Sequence, residues 1–164
     1  MSTTLTGAAQ SLAGRILNEG YGTGAWHGPD LNAALADVTG DVAFWRPGPE
    51  RHNIAEIAVH HAYCVRNVRA KLAGAEPDPF VLDGDDWFAL PDPSRLSWAA
   101  ILDLVAREHE RLATLAADLE AGRVSSPLAD SERFDLVLGI TCHAVYHAGQ
   151  VQLIKRLETT AKSL

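Results

Sequence analysis

Two histidines stand four residues apart in the segment ITCHAVYHAGQVQLIKRL, residues 140–157. The apolar residues of this segment recur every three or four positions, which predicts one face of an α-helix, and His143 and His147 fall on that face. Side chains four apart on a helix lie about 5–6 Å from each other, so two ring nitrogens can converge on one metal ion. The alternative is a pair of core histidines whose nitrogens are satisfied by hydrogen bonds alone.

A third ligand is available in the segment NIAEIAVHHAYC. His61 lies at the centre of the apolar stripe of this second predicted helix, whereas His60 lies about 100° away on its flank. Periodicity favours burial of His61, but a flank position at a helix–helix seam keeps a metal reachable by substrate. Cys64, one turn after His60, either closes a structural four-ligand site with His60, His143 and His147 or is a small buried hydrophobe.

Three protein ligands with one open position are the arrangement of catalytic metal sites. A metal held in this way lowers the pKa of a bound water or thiol and polarises a carbonyl group. Imidazole ligands suit zinc, nickel, copper or iron, so the residue types alone leave the identity of the metal open.

Polar residues in the loops carry weaker signals. His27 precedes a short predicted helix and could reach the pocket, although a loop histidine is more often exposed. Asp85, Asp86 and Trp87 lie in a long acidic loop, where they form a lid or provide only solubility and packing.

Three more residues are expected to contact water. His52 stands at a helix start, and His109 lies among charged residues at the edge of the third helix's stripe. Glu108 should reach out from that stripe to water, because a buried unpaired charge is costly; its alternative role is to support a ligand histidine. Further support for the ligands could come from neighbours on the same helices, namely Tyr63, Tyr146 and Gln150.

The apolar periodicity predicts an all-α fold with four long helices, at residues 5–18, 53–73, 97–121 and 132–157, and a short helix at 29–38. Asn53 with Glu56 forms a capping box, Ser97 caps the third helix, and Asp130 or Ser131 caps the fourth. The proline-rich loop 74–96 is long enough to be a crossover that makes the second and third helices parallel. We therefore predict a four-helix bundle with a short extra helix after the first, in one domain spanning residues 1–164.

The composition is that of an ordinary globular protein, with 47% apolar and 21% charged residues in 164. A net charge of −7 argues against nucleic-acid binding, which needs a basic face. The stretch 136–154 has no acidic or basic residue, but its two histidines and two glutamines would be costly in lipid, so a buried core helix is expected. The two cysteines suggest no disulfide framework, and the absence of a leader after Met1 predicts a cytoplasmic protein.

Four segments together resemble the DinB/YfiT-like proteins. HAVYHAGQVQLIKR is similar to their last helix, which carries a His-x-x-Tyr-His-x-Gly-Gln pattern, and HNIAEIAVHHAYCVRNVRAKLAG is similar to their second helix. AWHGPDL resembles the segment before that helix, and DGDDWFALP resembles their loop. The resemblance covers almost the whole chain in the right order.

This resemblance implies a four-helix bundle, usually dimeric, that binds a divalent metal with one histidine from helix two and two from the last helix. When the family's pattern is matched to this sequence residue by residue, its three metal ligands correspond to His60, His143 and His147. Zinc or nickel is expected foremost, with iron and manganese as further candidates. Characterised relatives include S-transferases and isomerases that use low-molecular-weight thiols such as bacillithiol or mycothiol.

We therefore expect a metal-dependent hydrolase or thiol S-transferase that acts on a small molecule, as a homodimer, without nucleic acid or membrane as partner. The alternative is a non-catalytic, metal-stabilised helical dimer that serves as a stress-related binding module.

Overall fold

The computed structural model describes residues 11–163. Within this range the chain forms six helices and no strand, so the predicted all-α class is confirmed for the described residues. The helices are α1 (Leu12–Gly20), α2 (Leu31–Leu35), α3 (Gly40–Phe44), α4 (Ile54–Ala73), α5 (Trp98–Glu120) and α6 (Asp130–Ala161).

The starts of α4 and α5 are fixed by the predicted caps. The side chain of Asn53 accepts a hydrogen bond from the Glu56 N–H at 2.8 Å, and the Glu56 carboxylate accepts one from the Asn53 N–H at 3.4 Å. This reciprocal pair is a capping box, which satisfies two N–H groups that the first turn of a helix leaves free. The hydroxyl of Ser97 accepts from Ala100 N–H at 3.3 Å and caps α5 in the same way.

The amino-terminal half of the chain departs from the predicted helix boundaries. The hydroxyl of Ser11 caps α1, which therefore begins at Leu12; the rest of the predicted start, from residue 5 to residue 10, lies outside the described residues. The short helix predicted at 29–38 is confined to α2, Leu31–Leu35, and an additional short helix, α3, follows it at Gly40–Phe44. Thr39 separates them, because its hydroxyl accepts from the N–H of Val42 and opens a new helix.

The last helix is longer than its apolar pattern indicated. Neither Asp130 nor Ser131 is its cap, because both lie within α6 and the N-cap position is occupied by Ala129. The Glu132 carboxylate accepts from the Ala129 N–H at 2.8 Å, which is one half of a capping box, while no side chain at the cap position accepts from the first turn. At the other end α6 continues past the predicted Leu157 to Ala161.

The helices pack around two apolar clusters at opposite ends of the fold. We name the clusters after the ends of α4 and α5. The amino-end cluster contains Ile54 of α4 and Trp98 of α5, where these helices begin, and the carboxyl-end cluster contains Leu72 of α4 and Leu119 of α5, where they end. The starts of α4 and α5 thus share one end and their finishes share the other, so these two helices run parallel. The loop predicted at residues 74–96 connects the end of α4 to the start of α5 and is the crossover that allows them to run parallel.

α6 runs antiparallel to α4, because its early residue Val137 belongs to the carboxyl-end cluster and its late residue Ile154 to the amino-end cluster. α1 packs against α5 and α6. Among the described residues, no helix combines the length and the apolar character that crossing a bilayer requires.

The crossover loop is fastened to the first turn of α4. Asn53 donates from its amide to the carbonyl of Leu90 at 2.7 Å, and the Leu90 N–H donates to the Glu56 carboxylate at 3.0 Å. Phe88 and Leu90 are themselves buried in the core. These contacts hold the preceding loop residues against α4.

We predict that Asn53→Ala lowers the free energy of unfolding by about 2–3 kcal/mol, because it removes a helix cap, worth about 1 kcal/mol, and leaves the buried Leu90 carbonyl without its partner. Ser97→Ala is the matched control, since it removes a cap alone and should cost about 1 kcal/mol. Urea denaturation of both variants measures the difference. Equal losses would show that Asn53 acts only as a cap.

Candidate metal centre

Three histidine nitrogens converge between α4 and α6. His60 Nε2 lies 3.1 Å from His143 Nε2, and His147 Nε2 also lies 3.1 Å from His143 Nε2. His60 and His147 are buried, whereas His143 is half-buried. One ligand atom from each of the three residues lies within 4.8 Å of the others, so the group could hold a metal ion. The structure thus brings together the three residues that the sequence nominated.

Two of these rings have their other nitrogen engaged by an acceptor. His60 Nδ1 lies 2.9 Å from the backbone carbonyl of Asp86 and 3.1 Å from its carboxylate. His147 Nδ1 lies 2.6 Å from the side-chain oxygen of Gln150. Because these oxygens can only accept, each Nδ1 carries the proton and each Nε2 keeps a free lone pair. A ring that donates from Nδ1 to an oxygen and leaves Nε2 free is typical of metal-ligating histidines.

The crossover loop forms one wall of the cluster. Asp86 has a positive φ of 59°, a left-handed conformation that Asp tolerates better than most residues, and this turn accompanies the contact with His60. Trp87 stacks on His60 with ring centroids 3.9 Å apart and on His52 with centroids 3.7 Å apart. The hydroxyl of Tyr63 donates to Asp85 and fastens the same segment to α4. The loop residues therefore cover His60 and do more than keep the chain soluble.

The neighbouring histidine, His61, lies on the far side of His143. It is fully buried, and its Nδ1 lies 2.9 Å from His143 Nδ1, away from the converging Nε2 atoms. Its Nε2 lies 2.7 Å from His109 Nε2. Burial lowers the pKa of His61 well below its usual value. Of the two candidates on α4, His60 is therefore the one aimed at the cluster, and His61 is buried as periodicity indicated.

His109 is a correction, because the sequence placed it in solvent and the structure buries it to 7% exposure. Its ring stacks on Tyr21 with centroids 4.0 Å apart and 9° between the planes. Burial lowers the pKa of His109 to about 3, so the ring is neutral near pH 7. The covering residue follows α1 directly, and periodicity within α5 could not reveal it.

Glu108 is a second correction. It was expected to reach water but is buried, with its carboxylate 3.4 Å from an Arg69 nitrogen and 3.3 Å from an Arg111 nitrogen. The two guanidinium groups remove the penalty for burying an unpaired charge. The carboxylate of Glu108 therefore contacts two arginines and does not support a ligand histidine.

Cys64 lies beside the cluster but does not complete it. Its sulfur is 3.9 Å from His60 Nε2, and its possible metal-binding companions are His60 and Asp86, not the two histidines of α6. Burial raises the pKa of the Cys64 thiol to about 11, so it is protonated near pH 7. This geometry favours three histidines over a closed set of four ligands.

Of the remaining residues that the sequence proposed for the site, Gln150 and Tyr146 lie beside the cluster, whereas His27 and His52 are exposed. Gln150 contacts His147 and donates to the hydroxyl of Tyr146 at 3.2 Å, so it links that tyrosine to the cluster. His27 is exposed and bonds to the backbone of Glu19 at 2.6 Å, outside the cluster. His52 is exposed, as expected, although Trp87 connects it to His60.

The electrostatics of the cluster suit a cation. Burial, and secondarily the neighbouring imidazoles, lower the pKa of His143 to about 4. Burial also lowers the pKa of His147 to about 4, although its hydrogen bond with Gln150 opposes the shift. Both rings are thus neutral near pH 7, with lone pairs available. A set of neutral imidazoles fits borderline divalent ions such as zinc and nickel.

We predict that the metal-free protein, kept in chelator, loses stability as the pH falls below about 6.5. The unfolded chain protonates His109 near its ordinary pKa of 6.5, whereas the folded protein resists protonation down to about 3. Stability is therefore complete above the unfolded pKa and is lost progressively toward the folded one. His109→Phe, which can keep the stacking on Tyr21, should show a shallower loss in urea denaturation; an unchanged slope would contradict the prediction.

Comparison with known proteins identifies the family of the chain. No curated protein and no solved structure matches the chain. A sequence model of the DinB superfamily matches residues 25–151, a range that contains all three converging histidines. The chain therefore belongs to the DinB superfamily.

Proposed function

We propose that this protein binds a divalent metal ion through His60, His143 and His147 and uses it to catalyse a reaction on a small molecule. The observation that carries the proposal is the convergence of three Nε2 atoms, with His143 Nε2 3.1 Å from each of the other two. Two of the three rings, His60 and His147, have Nδ1 bonded to an oxygen acceptor, which leaves Nε2 available for a cation. Zinc or nickel is proposed foremost, and iron or manganese after them.

A bound ion would supply Lewis acidity, which activates water for hydrolysis or a thiol for transfer to an electrophile. The protein's own contribution is to fix the ligands. Asp86 holds His60 from the crossover loop, and Gln150 holds His147 from the next turn of α6. The stacked ring of Trp87 shields His60 from water on one side.

An open cleft beside the cluster supports a small-molecule substrate. The cleft has a volume of about 600 Å³ and is lined by Gln150, which also contacts His147. His52 and Arg51 lie on its wall with the apolar residues of α6. A cleft that is partly apolar and carries a few polar groups next to a reactive centre is the usual form of a substrate site. A low-molecular-weight thiol is one proposed occupant.

The alternative function is a non-catalytic module that the metal only stabilises. The observation that favours it is the proximity of Cys64 to His60, since a thiolate ligand would close the site. In that case removal of the metal would unfold the protein, as in structural zinc sites.

We also propose that the protein forms a homodimer through α6. This helix exposes five large apolar or aromatic side chains along its length, Phe134, Leu138, Tyr146, Leu153 and Leu157. They recur at about one per turn, with the exposed small residues Cys142 and Gly149 among them. A continuous apolar stripe on an outer face is typical of a protein–protein interface.

We predict that His60→Ala, His143→Ala and His147→Ala each weaken zinc binding by about 100-fold or more, beyond the effect typical of residues that only support a ligand. Affinity is measured on untagged protein by competition with a chromogenic chelator. His27→Ala removes an exposed histidine outside the cluster and should bind zinc normally. A wild-type protein that binds none of the four metals would show that the proposal is wrong.

Cys64→Ala separates the two candidate functions. An open three-histidine site predicts that this variant binds zinc like the wild type and melts at the same temperature. A closed site predicts that Cys64→Ala loses as much zinc affinity as His143→Ala does. It also predicts that a chelator lowers the melting temperature of the wild-type protein strongly.

We predict that Leu138→Glu, on the same stripe but outside the lining of the cleft, converts a dimer into a monomer, because a twofold interface would contain the new carboxylate twice, once from each copy. Light scattering after gel filtration should change from about twice the 17.6 kDa chain mass to the chain mass itself. Val124→Glu, at an exposed apolar position outside the helices, is the control and should remain dimeric.

A further inference from the structure

We propose that two copies of this chain pair through antiparallel α6 helices, around a twofold axis between residues 145 and 146, and that each copy thereby completes the cleft of the other. The proposal rests on the homodimer proposed above and gives its register. The surface concerned is the outer face of α6, which consists of the exposed residues Phe134, Leu138, Cys142, Tyr146, Gly149, Leu153 and Leu157.

The middle of the outer face is uncharged. Every exposed residue of α6 between positions 136 and 154 lacks a charge, and the large ones among them are Leu138, Tyr146 and Leu153. The chain as a whole carries a net charge of −7, so two copies repel each other over much of their surface. On an uncharged apolar strip this repulsion is smallest, and contact removes apolar area from water. The outer face therefore suits a second copy of the same chain.

The spacing of the outer face is nearly the same when it is read in either direction. With the axis between residues 145 and 146, Phe134 lies opposite Leu157 of the second copy, and Leu138 lies opposite Leu153. Large residues thus meet large residues, and the pairing is reciprocal, as a twofold interface requires. A register shifted by one turn would instead set Leu138 opposite Gly149. Contact over six turns requires nearly antiparallel helices, which cross at about 20°.

The centre of the face provides a projection and a hollow. Tyr146 is 63% exposed. In this register its ring enters a hollow of the second copy that is formed by Cys142, Val145, Tyr146 and Gly149, four residues spaced like the hole that receives a side chain in packed helices. Nothing lies within 4 Å of the position that a Cβ of Gly149 would take, so the protein's own atoms do not fill the hollow.

Two charges of opposite sign flank the uncharged strip. Asp135 and Arg156 are exposed, and neither forms an ion pair with another residue of the range 11–163. The same register places Asp135 opposite Arg156 of the second copy, and the twofold axis repeats this contact at the other end. Complementary charges at the rim of an interface favour the correct partner and register.

The register makes the cleft a shared site. Leu153 and Leu157 belong to the outer face and also line the cleft of about 600 Å³ beside the metal cluster. The residues opposite them are Leu138 and Phe134 of the second copy. These two side chains extend the apolar wall of the cleft where a single copy leaves it open to solvent.

Gly149→Cys tests the register, because it introduces a thiol opposite the native Cys142 of the second copy. We expect diamide, which oxidises two thiols to a disulfide, to convert this variant into a covalent dimer whose peptide map joins positions 142 and 149. Cys142→Ser/Gly149→Cys is the control and should form no covalent dimer. The thiols at position 149 of the two copies lie seven residues apart along the helices, about 10 Å, which is too far for a disulfide.

Two results of this experiment would overturn the register alone. A disulfide between the Cys142 side chains of two wild-type chains would indicate parallel helices. A Gly149→Cys variant that is dimeric by light scattering but forms no bond to Cys142 would leave the homodimer in place without this pairing. A monomeric wild-type protein, in contrast, would overturn the homodimer and the pairing together.

A charge exchange tests the register without a new thiol in the hollow. We expect Asp135→Arg to raise the dissociation constant of the dimer about tenfold, because it replaces two attractions with two repulsions. Asp135→Arg/Arg156→Asp should return the constant to within about threefold of the wild type. Asp103→Arg, at an exposed position of α5, is the matched control for charge. Analytical ultracentrifugation measures all four proteins, and a double variant no tighter than Asp135→Arg would overturn the register.

Cross-linking beside the cleft tests the shared wall. Phe134→Cys and Leu157→Cys are combined in a Cys142→Ser background and treated with a short bis-maleimide. We expect a covalent dimer, because position 134 of one copy lies opposite position 157 of the other. Either substitution alone should give none, since its two copies lie about 34 Å apart along the helices. If the combined variant gives no covalent dimer while Gly149→Cys does, the second copy does not reach the cleft.

Discussion

The rest of this structure depends on one constraint, which is that a buried imidazole must have both nitrogens satisfied. Three histidines, His61, His109 and His143, lie where the two apolar clusters meet. Around His109 and His143, neighbouring residues of the same helix belong to opposite clusters, as Val105 and Leu112 do on α5 and Ile140 and Ala144 do on α6. His61 has no exposed surface, so it cannot rely on water. Every ring must find a partner on another ring, on a loop or on a metal ion.

This constraint explains why loop and helix are joined so firmly near the cluster. The proton on His60 Nδ1 needs an acceptor, and the chain supplies one from the crossover loop through Asp86. Asn53 and Glu56 fasten Leu90 at the start of α4, and Tyr63 fastens Asp85, so the loop is held on both sides of that carbonyl. The capping box thus has two tasks, since it starts the helix and also fixes the wall of the site.

The sequence predicted the parts of this arrangement that depend on one helix at a time. Spacing within α6 placed His143 and His147 on one face, and the caps of α4 and α5 were predicted from local residue types. Contacts between distant segments could not be predicted. The burial of His109 depends on Tyr21 beyond α1, and that of Glu108 depends on Arg69 of α4. Periodicity describes only the helix to which a residue belongs, so it left His109 at the edge of its stripe. Glu108 lay inside the stripe, and it was assigned to solvent because its arginine partner on another helix could not be foreseen.

The adjacent pair His60 and His61 shows how a single helix can serve both the site and the core. Consecutive residues on a helix point about 100° apart, so one ring can face the cluster while the next faces the interior. His143 lies between them, with Nε2 toward His60 and Nδ1 toward His61. The two nitrogens of one imidazole cannot both hold its single proton. His143 thereby links the cluster to the core, and the two histidines that competed for one role in the sequence have two separate tasks.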